Sequence, residues 1–163
     1  MLPAIKAIAM DFDGVLTDGG LWWGANGEEM KRLCFPDITG IPLARNAGLK
    51  LAIVSGESSQ AGMGLVRRYA EKVKVIDIYT GCHDKATAVR EFAKKYDLQL
   101  SEVCFIGDDV NDLPAMTIVG LSAAPANAHP TVKQQATFIT TRGGGFGAVR
   151  EVIDTILDKQ AKA

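Results

Sequence analysis

The sequence predicts an α/β fold in which a parallel sheet carries helices on both faces, and two observations lead to this prediction. Continuous apolar runs typical of buried strands recur along the chain, and helix-like segments separate them. This alternation favours a parallel sheet, because parallel neighbours need a crossover connection that is usually a helix. The 163 residues are enough for a single domain with a substantial core, which we expect to span 1–163.

The strands are predicted from apolar runs that lack the alternation of a half-exposed strand. These runs occupy residues 5–10, 49–55, 75–80, 103–107 and 119–124, with a weaker one at 137–140. Helices are predicted between and after them, at about 37–47, 60–72, 84–97, 110–118, 127–135 and 146–160. In the helix at 60–72, Gly62 and Gly64 each cost about 1 kcal/mol relative to alanine. We therefore expect its first turn to fray, or the helix to begin near Met63.

A β-hairpin at about 20–35 interrupts the alternation. The segment "LWWGANGEEMKRLCF" consists of two short runs on either side of Gly24, Asn26 and Gly27. Residues of these types form the tight turn of a hairpin. The predicted order is therefore strand, hairpin, and then the alternating helices and strands.

Composition argues against two classes of partner. The formal net charge is -1, whereas nucleic-acid-binding domains usually carry a basic stripe, so we expect no nucleic acid. No apolar run approaches the roughly 18 residues of a membrane span, so we expect no membrane either. Cys34, Cys82 and Cys104 are odd in number and far apart. They favour reduced thiols in a cytoplasmic protein over a disulfide framework or a zinc site.

Polar side chains follow four of the predicted strands, and the ligand crevice of an open parallel sheet lies beyond those strand ends. Each of these polar residues, taken alone, is compatible with a structural role, such as a turn residue, a helix cap or a solvated lysine. Together, the carboxylates would repel one another without a cation, and hard oxygen ligands without a histidine cluster suit Mg²⁺. In strand order the residues are Asp11 and Asp13, then Ser55 and Gly56, then Lys85, then Asp108, Asp109 and Asp112.

These residues resemble the four motifs of the haloacid dehalogenase superfamily. "DFDGVLTD" resembles its first motif, DxDGxxxD, and "GDDVND" resembles its acidic fourth motif. Ser55 and Lys85 stand where the second and third motifs have their polar residues. The resemblance implies a Rossmann-like core, a Mg²⁺ cofactor and phosphoryl transfer. The roles of Asp109 and Asp112 stay open, with support of the metal shell or of a bound water expected.

The resemblance also implies a role for each remaining residue. Asp11 would be the nucleophile that forms an aspartyl-phosphate. Asp13 would protonate the leaving alcohol and later activate water. Ser55 would hydrogen-bond a phosphoryl oxygen, and Lys85 would pair with both Asp11 and the phosphate. The Asp11 carboxylate, the Asp13 backbone carbonyl and Asp108 would hold Mg²⁺.

A closer resemblance covers almost the whole chain. "LTDGGLWWGANGEEMKRLCFPDITGI", "IGDDVNDLPAM" and "RGGGFGAVREV" resemble capless phosphatases that act on 2-keto-3-deoxy sugar acid phosphates. The segments from Asp13 to Ser55 and from Ser55 to Lys85 are too short to hold a cap domain. Members of this family are tetramers whose subunits close each other's sites. The resemblance thus implies a homotetramer, with Trp22 and Trp23 of the hairpin at an interface. Packing of the two tryptophans on the core of their own chain is the alternative.

The substrate-binding residues follow from the same resemblance. Arg142, Gly143 and Gly144 resemble a segment that closes over the substrate, although a flexible loop before the last helix fits them equally well. Gly56 and Glu57 belong to "SGE", where the eight-carbon octulosonate enzymes typically have TGR. Glu57 reverses the charge at that position, and in this the chain resembles enzymes for nine-carbon sialic-acid-type 9-phosphates. A solvated Glu57 without a role in specificity is the alternative. We therefore expect a 2-keto-3-deoxy sugar acid phosphate of eight or nine carbons, with a slight preference for nine.

Two other functions stay open. The chain could be a non-catalytic oligomerisation module associated with a cytidylyltransferase, which the retained reactive residues disfavour. It could instead be a phosphotransferase or phosphomutase, which usually needs a cap to exclude water from the intermediate. Magnesium-dependent release of free phosphate distinguishes all three.

Overall fold

The computed structural model describes residues 4–162, and its centre is a six-stranded parallel sheet. Each strand predicted from an apolar run is confirmed. The strands in chain order, with the two hairpin strands included, are β1 (Ala7–Met10), β2 (Trp22–Trp23), β3 (Glu29–Met30), β4 (Lys50–Val54), β5 (Asp77–Tyr79), β6 (Val103–Ile106), β7 (Leu121–Ala124) and β8 (Phe138–Ile139). The order across the sheet is β5–β4–β1–β6–β7–β8. The first strand therefore lies in the interior, between β4 and β6.

Helices cover both faces of the sheet, as predicted. They are α1 (Phe35–Asn46), α2 (Gln60–Val73), α3 (Lys85–Lys95), α4 (Leu113–Met116), α5 (Pro130–Gln135) and α6 (Ala148–Gln160). Successive residues of a strand point to opposite faces. Accordingly, Ile8 and Met10 pack with α1, α2 and α6, whereas Ala7 and Ala9 pack with α3, α4 and α5. The apolar runs of the sequence are thus strands buried on both sides.

The start of α2 differs from the expectation. The helix begins at Gln60, so the prediction of a frayed first turn or a start near Met63 was wrong. The Ser59 hydroxyl accepts a hydrogen bond from the Gly62 amide at 3.0 Å, and a cap of this kind stabilises a helix by about 1 kcal/mol. Gly62 also leaves room for a neighbour, because a Cβ there would lie 2.1 Å from Cδ of Glu57.

The segment predicted as a helix at 110–118 is divided into two. A 3₁₀ turn, Val110–Asp112, precedes the short α4. One oxygen of the Asp112 carboxylate accepts from the amides of Asp108 and Asp109, at 2.9 and 3.2 Å. These bonds tighten the chain into a 3₁₀ turn before the helix can start. The same bonds place the aspartates of this segment at the end of β6.

The hairpin is present and projects away from the sheet. Trp22 of β2 pairs with Met30 of β3 in an antiparallel register, and Trp22 and Trp23 are 68% and 74% exposed. Across residues 4–162, no cap domain is inserted. Only α1 follows the hairpin before β4, and only α2 and β5 lie between Ser55 and Lys85.

The described part of the chain, 4–162, contains no helix with the length and apolarity required to cross a bilayer. Cys34, Cys82 and Cys104 are free thiols, and Cys34 and Cys104 are buried.

Candidate active site

A buried lysine lies between two carboxylates at the carboxyl ends of β1 and β6. Lys85 is 1% exposed, and its Nζ lies 2.8 Å from Oδ2 of Asp11 and 2.6 Å from Oδ1 of Asp112. The local sequence accounts for its position: Asp84 caps α3 by accepting from the Thr87 amide at 3.1 Å, so the helix begins at Lys85. Burial alone would lower the pKa of Lys85, but the two carboxylates more than offset it and raise the pKa. Lys85 is therefore a cation in contact with the predicted nucleophile.

Three carboxylates meet beside this lysine. Asp11, Asp108 and Asp112 each offer an oxygen, and these oxygens lie within 4.8 Å of one another. Burial, followed by repulsion from Asp112, raises the pKa of Asp11 to about 7, although Lys85 opposes the shift. Burial, followed by repulsion from Asp11 and Asp112, raises the pKa of Asp108 to about 8. A divalent cation would relieve this repulsion, and an all-oxygen donor set fits Mg²⁺.

Asp112 holds this cluster together. One of its oxygens binds Lys85, and the other accepts the amides of Asp108 and Asp109. Both oxygens are thus engaged, and Asp112 is completely buried. Asp109 is exposed and accepts from the Val110 amide at 2.7 Å, at the start of the 3₁₀ turn. Of the two residues with open roles, Asp112 therefore positions Lys85, and Asp109 caps a turn.

Gly14 allows Asp108 to approach the end of β1. Gly14 has a φ of +80°, and a Cβ at this position would lie 2.0 Å from Oδ2 of Asp108. The glycine of "DFDG" is therefore required both by the backbone conformation and by the neighbouring carboxylate.

A cavity of about 430 Å³ opens above these residues. Ser55 is buried at its wall, and its hydroxyl accepts from the Glu57 amide at 3.1 Å. The structure thus brings together the predicted residues of the first, second and third motifs. Sequence reasoning missed Ser58, Cys82, His83 and Asn111. The lining residues are Asp11, Asp13, Ser55, Gly56, Glu57, Ser58, Cys82, His83, Lys85 and Asn111.

Lys31 contacts two residues that line the cavity, and sequence reasoning missed it. Its Nζ lies 2.9 Å from both carboxylate oxygens of Asp13 and 3.3 Å from Oε2 of Glu57. Lys31 follows β3, so the hairpin brings it back to the residue that precedes the hairpin. Burial alone would lower the pKa of Lys31, but Asp13 and Glu57 raise it above its ordinary value. Lys31 is thus a second cation at this site.

The segment Arg142–Gly144 does not line the cavity of its own chain. It packs behind the turn that follows Asp13, where a Cβ on Gly144 would lie 1.8 Å from the Gly14 carbonyl oxygen. The Gly144 amide donates to Oδ1 of Asn127 at 2.9 Å, and the Arg142 side chain lies beside Gly147. Within one chain, the structure thus places Gly144 against the turn after Asp13, but none of the three residues is among those that line the cavity.

Comparisons with known proteins agree with this geometry. A family model for haloacid dehalogenase-like hydrolases matches residues 63–153. The 3-deoxy-D-manno-octulosonate 8-phosphate phosphatase of Salmonella typhi is 37% identical over 97% of this chain and 82% of its own length.

Solved structures are equally similar. The crystal structure of the 3-deoxy-D-manno-octulosonate 8-phosphate phosphatase from Yersinia pestis has a TM-score of 0.93 and 37% identity, over 99% of this chain and 85% of that one. The enzyme of the same name from Moraxella catarrhalis, solved with magnesium, phosphate and KDO, has a TM-score of 0.92 and 36% identity, over 99% and 90%. The resemblance that the motifs indicated is therefore confirmed, and the chain belongs to the haloacid dehalogenase-like hydrolase family.

Proposed function

We propose that this protein is a Mg²⁺-dependent phosphatase that hydrolyses the phosphate monoester of a 2-keto-3-deoxy sugar acid through an aspartyl-phosphate intermediate. The observation that carries the proposal is the placement of Asp11 in the cavity, with Lys85 bound to it at 2.8 Å. The buried Lys85 ammonium group fixes the position and the orientation of the Asp11 carboxylate, as attack on a phosphate in the cavity requires. The names of the similar proteins support the substrate class.

Each side chain acts in a defined place. Asp11 attacks phosphorus and forms the acyl phosphate, which splits a difficult step into two easier ones. Asp13 gives a proton to the leaving alcohol and then takes one from the attacking water. Ser55 donates its hydroxyl proton to a phosphoryl oxygen, and Lys85 offsets negative charge on both Asp11 and the phosphoryl group.

Asp11, Asp108 and the Asp13 backbone carbonyl would hold the metal. The raised pKa values of Asp11 and Asp108 support this assignment, because they reflect carboxylates that lack sufficient positive charge. When bound there, Mg²⁺ supplies positive charge between the carboxylates and the phosphate, which otherwise repel each other.

The similar proteins favour octulosonate 8-phosphate, whereas the sequence at Glu57 favours a nine-carbon substrate. In the structure, Oε1 of Glu57 accepts from the Ser59 amide at 2.9 Å and Oε2 binds Lys31 at 3.3 Å. The charge of Glu57 is thus offset within the chain, which weakens the argument that it selects the substrate. We therefore place octulosonate 8-phosphate first and 2-keto-3-deoxynononate 9-phosphate second.

Phosphate release tests the proposal. Both substrates are assayed side by side with Mg²⁺ and with EDTA, on the native protein and on Asp11→Asn. We expect magnesium-dependent release by the native protein and none by Asp11→Asn, whose amide is a poor nucleophile. No release from either substrate, or from a generic aryl phosphate, would favour the oligomerisation module. Formation of an isomeric sugar phosphate would favour a phosphomutase.

We also propose a homotetramer in which subunits close each other's sites. The exposed tryptophans of the hairpin support an interface there, because aromatic residues are enriched at interfaces. No cap domain within residues 4–162 covers the cavity. Trp22→Asp should give species smaller than a tetramer, measured by light scattering after gel filtration. These species should show low activity in the phosphate-release assay. As a control, Ile76→Asp changes another exposed apolar residue, 78% exposed before β5. A tetramer that persists in Trp22→Asp would contradict the hairpin interface.

The free thiols support a cytoplasmic location.

A further inference from the structure

Lys31 lies between two carboxylates that line the cavity, Asp13 and Glu57. Its side chain is 5% exposed, although Asp13 and Glu57 on either side are 40% and 20% exposed. Both oxygens of Asp13 lie 2.9 Å from the Lys31 Nζ. A lysine is buried in this way only when carboxylates satisfy its charge. The position of the ammonium group is thus set by its two partners.

Glu57 is itself fixed, and so it anchors Lys31. Its Oε1 accepts from the Ser59 amide, at the N-terminus of α2. Its side chain occupies the space that a Cβ on Gly62 would need. On the other side, Lys31 lies over the ring of Phe12, 5.8 Å from its centroid. The Lys31 head group is therefore held by the helix, the strand end and the hairpin together.

The carboxylate of Asp13 has little else to hold it. Thr17 donates its hydroxyl to Oδ1 of Asp13 at 3.5 Å, which is the limit for such a bond. A carboxylate that is 40% exposed would otherwise rotate towards solvent. Each carboxylate oxygen has a second lone-pair direction, so the bonds to Lys31 leave Asp13 able to face a substrate.

We propose that Lys31 is a positioning residue that aims Asp13 at the leaving-group oxygen, and that Glu57 acts through Lys31 rather than by contact with the substrate. This inference rests on the proposed function, in which Asp13 is the general acid. A proton donor must lie within about 2.6–3.2 Å of the atom that receives the proton. A misplacement of about 1 Å can lower a rate by about 100-fold. Lys31 provides the fixed point that the exposed Asp13 lacks.

The dependence on the leaving group tests this inference. A sugar alcohol needs a proton to leave, whereas p-nitrophenolate leaves without one. The quantity to compare is kcat/KM with octulosonate 8-phosphate and with p-nitrophenyl phosphate, since it reports the first phosphoryl transfer. In Lys31→Met we expect a loss of about 10- to 100-fold with the sugar phosphate and a much smaller loss with the aryl phosphate.

Three further variants sharpen the comparison. Lys31→Arg should recover part of the loss, because a guanidinium also binds both oxygens of a carboxylate. Glu57→Gln should show the same selective loss in a weaker form, which keeps the test valid if Lys31→Met does not fold. Lys95→Met removes another lysine–carboxylate pair, with Asp77, outside the cavity, and should leave both substrates unaffected.

Asp13→Asn separates the inference from the proposed function. If Asp13→Asn lowers both activities equally, the acid role of Asp13 fails. The positioning role is wrong if Asp13→Asn loses activity mainly with the sugar phosphate while Lys31→Met loses activity equally with both substrates. It is also wrong if Lys31→Met loses activity with neither substrate. A raised KM with an unchanged kcat in Lys31→Met would assign Lys31 to substrate binding and also overturn it.

Discussion

Removal of the buried cation at Lys85 should destabilise the fold as well as abolish activity. In the native protein, Nζ of Lys85 lies 2.8 Å from Asp11 and 2.6 Å from Asp112. Lys85→Met keeps a side chain of similar length but leaves these two carboxylates without their common partner. Breaking one side of a buried ion pair costs about 3–5 kcal/mol. The lysine pKa is raised in the fold by these carboxylates, although burial opposes the shift. Its stabilising contribution is therefore complete at neutral pH and would be lost only when the pH rises through that raised value.

Urea unfolding followed by circular dichroism measures this effect. With a slope of about 2 kcal/mol per molar urea, the midpoint of Lys85→Met should fall by about 2 M. Lys95→Met removes a half-exposed lysine from its pair with Asp77. Solvent screens this lysine, so the midpoint should shift much less than in Lys85→Met. Added Mg²⁺ should restore part of the loss in Lys85→Met. Equal shifts in the two variants would refute the reasoning from burial.

Two other predictions concern the metal and the glycine-rich segment. Because burial raises the pKa of Asp11 to about 7 and of Asp108 to about 8, protons compete with Mg²⁺. Calorimetric affinity for Mg²⁺ should weaken as the pH falls from 8 to 6. In EDTA, the thermal stability of the metal-free protein should instead rise as the pH falls from 8 to 6. The reason is that carboxyl groups with a raised pKa bind protons more tightly in the folded state than in the unfolded state. A Mg²⁺ affinity and a thermal stability that both stay constant over this pH range would contradict the two expectations. Gly144→Ala, with its Cβ 1.8 Å from the Gly14 carbonyl oxygen, should lower stability by at least about 1–3 kcal/mol. Gly64→Ala, where the added Cβ would meet nothing within 4 Å beyond its chain neighbours and its own helix backbone, should instead raise stability by about 1 kcal/mol. A similar effect of both substitutions would contradict the clash.

The sheet could be predicted because burial on both faces leaves a simple signal. Strands such as β1 and β6 are continuous apolar runs, and the residues after them lie at one edge by the geometry of a parallel sheet. The meeting of Asp11, Lys85 and Asp108 therefore followed from their order in the chain. The extent of the domain, 1–163, stays a prediction.

Contacts that depend on packing between distant segments could not be predicted. The link from Lys31 to Asp13 depends on how the hairpin returns, and strands of two residues leave no register in the sequence. The Ser59 cap fixes the start of α2. The close approach of Glu57 explains Gly62 and cannot be inferred from glycine propensity. Arg142 was grouped with the site by resemblance, and the place of its side chain beside Gly147 reflects tertiary packing.

The central claim is that Asp11 forms a covalent bond to phosphorus, and trapping that bond tests it most directly. Asp13→Asn should slow hydrolysis of the intermediate, because the base that activates water is missing. p-Nitrophenyl phosphate, whose leaving group needs no proton, and Mg²⁺ are added to this variant. The reaction is quenched with borohydride, and the peptides are analysed by mass spectrometry. The account predicts that Asp11 alone is reduced to the alcohol, in proportion to substrate added. Phosphate release from the native enzyme with Asp11 unmodified in the trapped variant would contradict it.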